Sequence, residues 1–186
     1  MTLEAMLSRV ARALHTAQVP YMLTGSVASS AHGKPRSTRD IDIVIAPTSE
    51  QLHDLIRQFP NSEYYADEQQ AFQALASRSQ FNVIDIATGW KVDFIIAKAS
   101  EYARSAMSRR KQLEIEGNVM WVVSAEDIIL SKMEWAKRSG GSDRQIVDAA
   151  DVVRSQGTTL DKAYIEHWAK QLGLQQEWRQ VLETSK

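Results

Sequence analysis

The chain contains no cysteine, which excludes disulfide bridges and every metal site built on thiolates. No apolar run reaches the roughly 20 residues that a helix needs to cross a bilayer. The opening segment Met1-Thr2-Leu3-Glu4-Ala5-Met6 lacks the basic start and apolar centre of a secretory signal, so a cytoplasmic chain without a membrane partner is expected. Charge of one sign is also missing: 22 Lys and Arg stand against 23 Asp and Glu, which leaves no global basic field to draw in nucleic acid. There is no Pro/Ser-rich linker and no internal repeat. Neither His-Glu-x-x-His nor a Ser/His/Asp order occurs, so hydrolase chemistry has nothing to rest on. What is present is 186 residues with 44% apolar content, enough for one core or a core with a small annex.

The most informative segment is Asp40-Ile41-Asp42-Ile43-Val44-Ile45. Alternate residues of a strand share a face, about 6.5–7 Å apart, so Asp40 and Asp42 point one way while Ile41, Ile43 and Ile45 anchor the other side in a core. Carboxylates inside a strand cost several kcal/mol to desolvate unless a cation compensates them. Mg²⁺ suits that role because it prefers hard oxygen ligands and keeps positions open for phosphates. A third acid would complete the set. Ala87-Thr88-Gly89 reads as the turn of a hairpin joining Phe81–Ile86 to Trp90–Ile96. Asp93 is preferred as the third acid because Val92, Phe94 and Ile96 occupy the opposite face; Asp85 is its rival, and equally a surface residue near the turn.

Upstream, Tyr21-Met22-Leu23-Thr24 reads as a short strand, and Gly25-Ser26 opens a helical stretch through His32. A glycine at that junction lets backbone approach a ligand, and free N–H groups at the helix start favour phosphate. His32, beside this helix, is a candidate general acid and equally a packing residue.

Around these motifs, Leu3, Met6, Leu7, Val10 and Leu14 mark an amphipathic opening helix. Further helices are expected from Pro47-Thr48-Ser49-Glu50 through Ile56, over Asp67 to Ser77, and from Ser100 to Met107. Two strands are expected to flank Glu116-Gly117-Asn118. From Ser124 onward only helical patterns follow: one helix to Gly140-Gly141, a second capped by Ser142 and ending at Gly157, and two more containing Trp168 and Trp178. Trp135, Trp168 and Trp178 recur with aliphatic residues at helical spacing and are assigned to core. The division expected is an α/β portion over residues 1–123 and a helical portion over 124–186, packed together.

The order strand, Gly25-Ser26, helix, Asp40-Ile41-Asp42 and a later Asp93 resembles the nucleotidyltransferase superfamily. Within it, Thr24-Gly25-Ser26-Val27-Ala28 followed by Gly33-Lys34-Pro35-Arg36-Ser37-Thr38-Arg39-Asp40-Ile41-Asp42 is most similar to the minimal prokaryotic branch that contains AbiEii-type toxins of type IV toxin–antitoxin systems. The resemblance implies an α/β (α+β) fold, a mixed sheet flanked by helices and followed by a C-terminal helical bundle. It also implies transfer of a nucleoside monophosphate from a nucleoside triphosphate to a hydroxyl acceptor, an RNA 3′ end or a protein, with two Mg²⁺ (or Mn²⁺) ions and a cognate antitoxin as partner.

On that basis Asp40, Asp42 and Asp93 are the catalytic metal ligands, and Gly25 and Ser26 hold the triphosphate. Lys34, Arg36 and Arg39 are available to neutralise its charge. AbiEii-like proteins carry a lysine on the first C-terminal helix and a basic-acidic pair followed by an acid on the second. Lys132, Arg144 and Asp148 fall at those places, while Gln145 departs from the pattern; the competing role for Lys132 and Asp148 is an interhelical salt bridge. The clusters Arg104/Arg109/Arg110/Lys111 and Lys132/Lys137/Arg138/Arg144 are candidate RNA contacts or solvated faces. A second class of function, a non-catalytic nucleotide- or protein-binding regulator of the same fold, would be expected to have lost one of the three acids. A structural interaction module would bind no nucleotide at all.

Overall fold

The computed structural model describes residues 2–141 and 143–186. Ser142, expected above to cap a helix, lies outside the described residues. In chain order the elements are α1 (Leu3–Thr16), β1 (Tyr21–Thr24), α2 (Gly25–His32), β2 (Asp40–Ile45), α3 (Ser49–Arg57), β3 (Tyr64–Ala66), α4 (Glu68–Ser77), β4 (Gln80–Asp85), β5 (Lys91–Ile96), α5 (Glu101–Arg109), β6 (Lys111–Ile115), β7 (Asn118–Val122), α6 (Ala125–Arg138), α7 (Asp143–Gln156), α8 (Lys162–Gln171) and α9 (Gln175–Thr184). They fall into two units. The first comprises the chain up to Thr24 together with Thr38–Val122; the second comprises Gly25–Ser37 and Val123–Lys186.

The first unit is a seven-stranded mixed sheet in the order β3-β4-β5-β2-β1-β7-β6. Its centre is the parallel pair β2/β5, in which Asp42 stands opposite Asp93 and Ile43 opposite Phe94. β1 runs antiparallel to β2, pairing Thr24 with Asp42. Ile41, Ile43 and Ile45 are fully buried, as alternation on β2 requires. Phe94 continues that apolar face onto β5, stacking on Phe81 with ring centroids 5.3 Å apart and lying 6.2 Å from Phe59. Around the sheet, Thr48 and Gln51 form a capping box that starts α3, and Asp67 and Ser100 cap α4 and α5. Glu116 and Gly117 both take positive φ, 48° and 72°, the conformation that closes a tight hairpin between β6 and β7.

The second unit packs α2 with α6–α9. Ser124 caps α6 by accepting from Asp127 N and donating to its Oδ2. The buried stripe of α6 runs through Ile128, Ile129, Lys132, Met133 and Ala136. Gly25 has φ of 65°, a left-handed conformation at the strand-to-helix junction that a side chain would strain. Gly33 is constrained differently: a Cβ there would meet Ser29 O and Val152 N at 3.1 Å each, so its bare Cα lets the end of α2 approach the backbone of α7.

The strands and helices expected around each motif are found. Three details differ. β3 gave no sequence signal because it is three residues long and sits at the sheet edge. Trp135 is 49% exposed rather than core, since the buried stripe of α6 passes it by. Asp85 is buried, not a surface residue near the turn.

Gly33→Ala is expected to lower stability by about 1–3 kcal/mol, because two of the three atoms it meets are backbone atoms that cannot swing aside. A drop of several degrees in melting temperature would show it, and an unchanged midpoint would mean that α2 is not held this closely.

Candidate active site

In the first unit the three aspartates share one face of the central strand pair. Asp42 and Asp93 are register partners on parallel strands, so their side chains project to the same side; Asp40, two residues before Asp42, joins them and is itself paired with Lys91. Burial grades along the set. Asp93 is 8% exposed, Asp42 is half-buried, and Asp40, at the start of β2, is exposed. Asp85, the rival third acid, lies on the opposite face of the sheet with Phe81 and Val83. Its Oδ1 accepts from Thr88 N at 2.8 Å and from Thr88 Oγ1 at 2.5 Å, so its charge organises the β4–β5 turn.

A cation already serves these carboxylates. Lys91 Nζ lies 2.8 Å from Asp93 Oδ2 and 3.5 Å from Asp40 Oδ1. The hydrogen bond to Asp93, strengthened by the charges of Asp93 and Asp40 against a smaller opposing effect of burial, raises the Lys91 pKa above the ordinary lysine value. No three Asp, Glu, His or Cys side chains among the described residues close around a common point. The donor set nevertheless fits a divalent ion: three hard carboxylate groups in adjacent positions on one face, two of them already paired with a positive charge. Sequence reasoning missed Lys91. Its only signal was a lysine two residues before Asp93, and its pairing with Asp40 follows from strand register alone.

The second unit gathers most of the expected phosphate-binding groups. Arg36 donates through Nη2 to Ser26 Oγ, its backbone N–H donates to Ser30 Oγ at 3.1 Å, and its Nε lies 3.9 Å from Asp148 Oδ2. The same Asp148 oxygen accepts from Lys132 Nζ at 2.8 Å. Lys132 is 4% exposed, so Asp148 compensates a charge that would otherwise be stranded in an apolar helix interface. Gly25, Ser26, Arg36, Lys132 and Asp148 therefore belong to one unit, and Asp148 links two of its cations. Arg144, in the first turn of α7, is exposed. Lys34 pairs with Asp151 at 3.6 Å. Arg39, in the first unit, is exposed, and its carbonyl accepts from Lys91 N. His32 directs Nε2 to the Val123 carbonyl at 2.7 Å. The first unit also holds clefts of about 640 Å³ beside Phe59 and Tyr64 and about 720 Å³ beside Tyr21 and Trp121. Neither is lined by the three aspartates.

Two outcomes are expected. Asp148→Ala should destabilise the protein by about 3–5 kcal/mol, because it leaves buried Lys132 without its counter-charge; a loss below 1 kcal/mol in denaturant titration would contradict that pairing. The raised Lys91 pKa fixes a sign as well. The ion pairs stabilise the fold fully below the ordinary lysine value of 10.5 and fade as pH rises through the folded-state value. The stability gap between the native chain and Lys91→Met should hold steady from pH 7 to about 10 and close only above that; a gap that closes near neutrality would refute it.

Comparison with solved structures places this architecture. ANT(2″)-Ia in complex with adenylyl-2″-tobramycin is similar at 14% identity, over 92% of this chain and 99% of that one, with a TM-score of 0.58. The lincosamide antibiotic adenylyltransferase LnuA, lincomycin-bound, is similar at 13% identity over 81% and 96%, with a TM-score of 0.55. An antigenic nucleotidyltransferase-like protein from Paracoccidioides brasiliensis is similar at 19% identity over 81% and 73%, with a TM-score of 0.52. At these identities the likeness shows the fold. No curated protein sequence matches the chain. The family model described as "Nucleotidyltransferase of unknown function (DUF6036)" matches residues 2–181, and the chain belongs to that nucleotidyltransferase family.

Proposed function

We propose that this protein transfers a nucleoside monophosphate from a nucleoside triphosphate to a hydroxyl acceptor, with Asp40, Asp42 and Asp93 holding divalent metal, Mg²⁺ or Mn²⁺. The observation that carries the proposal is the β2/β5 register, which sets Asp42 beside Asp93 with Asp40 on the same face. Asp40, Asp42 and Asp93 would hold the divalent ions, which when bound would supply positive charge for activating the acceptor hydroxyl and for the departing pyrophosphate. The chain's own groups bind and orient. The N–H groups at the start of α2 and the Ser26 hydroxyl donate to phosphate oxygens. Arg36, already bonded to Ser26, adds a planar two-pronged donor suited to phosphate. Asp148 keeps Arg36 and Lys132 oriented while they await an anion; Arg39 and Arg144 are exposed cations that meet the outer charge of the nucleotide or acceptor. In this reading Asp93, the most buried of the three acids, also takes the acceptor proton.

The acceptor belongs to the same proposal. The AbiEii-like order of residues 24–42 favours an RNA 3′ end or a protein hydroxyl, a toxin role with a cognate antitoxin as partner, and a cytoplasmic site of action. The small-molecule antibiotics named with ANT(2″)-Ia and LnuA make a drug hydroxyl a further class to assay.

Mg²⁺ with a nucleoside triphosphate at a hundredfold excess over its dissociation constant should stabilise the native chain by about 2.7 kcal/mol, and Asp42→Asn should lose that gain. Incubation with labelled triphosphate and cell extract should then label an acceptor with the native chain and not with Asp42→Asn. Equal stabilisation of both proteins would refute the metal role, whereas binding without any labelled product would identify a nucleotide-binding regulator of the same fold.

A further inference from the structure

The cation that serves the aspartates is held by the backbone register as much as by its own side chain. Lys91 is the β5 partner of Asp40, and it shares a strand face with Asp93 two residues along. The 2.8 Å and 3.5 Å contacts of its ammonium therefore follow from where β2 and β5 pair. Asp42 and Asp93 stand opposite each other on neighbouring strands, and two carboxylates so placed repel unless a positive charge lies close by.

We propose that Lys91 is an internal counter-cation for this centre: in the metal-free protein its ammonium holds Asp40 and Asp93, and a divalent ion binds there by displacing it. The inference rests on the metal role assigned above to Asp40, Asp42 and Asp93. An ammonium and a divalent ion cannot share the same carboxylates a few ångströms apart without strong like-charge repulsion, which lowers metal affinity by about tenfold even in a well-solvated setting. The way out is open, since the Lys91 side chain is 34% exposed. Once displaced, the ammonium needs another partner, and a triphosphate offers one where water offers only hydration. Metal alone is then bound weakly, and metal arriving with nucleotide is bound more strongly, so that each ligand favours the other. Lys91 is in this sense a positioning residue that acts through two aspartates, setting when the centre accepts metal.

The test is titration of Mn²⁺ alone, followed by electron paramagnetic resonance, into the native chain, Lys91→Met, Lys91→Gln, Lys91→Arg and Asp42→Asn. The two neutral variants should bind Mn²⁺ about tenfold more tightly than the native chain. Lys91→Arg should stay near native, and Asp42→Asn should lose binding. Without metal, Lys91→Met should melt below the native chain, and Mn²⁺ should raise its melting temperature by the larger amount. Equal or weaker Mn²⁺ binding by both neutral variants, with the Asp42-dependent site intact, overturns the role of Lys91 and leaves the metal role standing. Absence of Asp42-dependent binding in every variant overturns both.

Discussion

The parallel pairing of β2 with β5 is the constraint on which the candidate site depends. One register places Asp42 against Asp93, Asp40 against Lys91 and Ile43 against Phe94, so a single alignment of two strands creates both the polar face and the core beneath it. A shift of one residue would turn every side chain of one strand to the other face. It would drive isoleucines into water and carboxylates into the aromatic cluster of Phe59, Phe81 and Phe94. The hydrophobic face thus specifies the position of the charged one.

Electrostatic compensation is the common theme of the two units. In the first, Lys91 neutralises a partly buried carboxylate pair at the start of the central strands. In the second, Asp148 neutralises buried Lys132 and steadies Arg36. The second arrangement holds ionised groups in low-dielectric surroundings at a cost that hydrophobic residues of similar size would avoid, whereas the first is partly open to solvent. Such pairs contribute little net stability beyond offsetting one another's desolvation, and what they add is a fixed orientation of each charge.

Much of the fold was legible because its signals are local. Ser124 followed by an acid at the third helical position, the Thr48/Gln51 capping box, the Thr88-Gly89 and Glu116-Gly117 turns, and the alternation of Ile41, Ile43 and Ile45 each act within a few residues. Lys132 and Asp148 were legible only as alternatives: ligand groups or an interhelical salt bridge. The structure pairs them, which is compatible with both. Trp135 misled because helical spacing reports a helix and does not say which residues its neighbours will cover. β3 left no trace because three residues at a sheet edge carry too short a pattern.

By itself the sequence determined the strand that bears Asp40 and Asp42, the hairpin that bears Asp93, and the glycine-initiated helix after Thr24, since each depends on residue type and close spacing. The alternation of Val92, Phe94 and Ile96 already favoured Asp93 over Asp85, and the strand register sets it opposite Asp42; tertiary structure alone decided that Lys91 stands beside Asp40, that α2 with Arg36 groups with α6–α9, and that Gly33 touches α7 through a bare Cα. Those outcomes depend on which strands become neighbours and in what register. That choice is made by burying distant apolar faces against one another, a collective energy that no short stretch of chain contains.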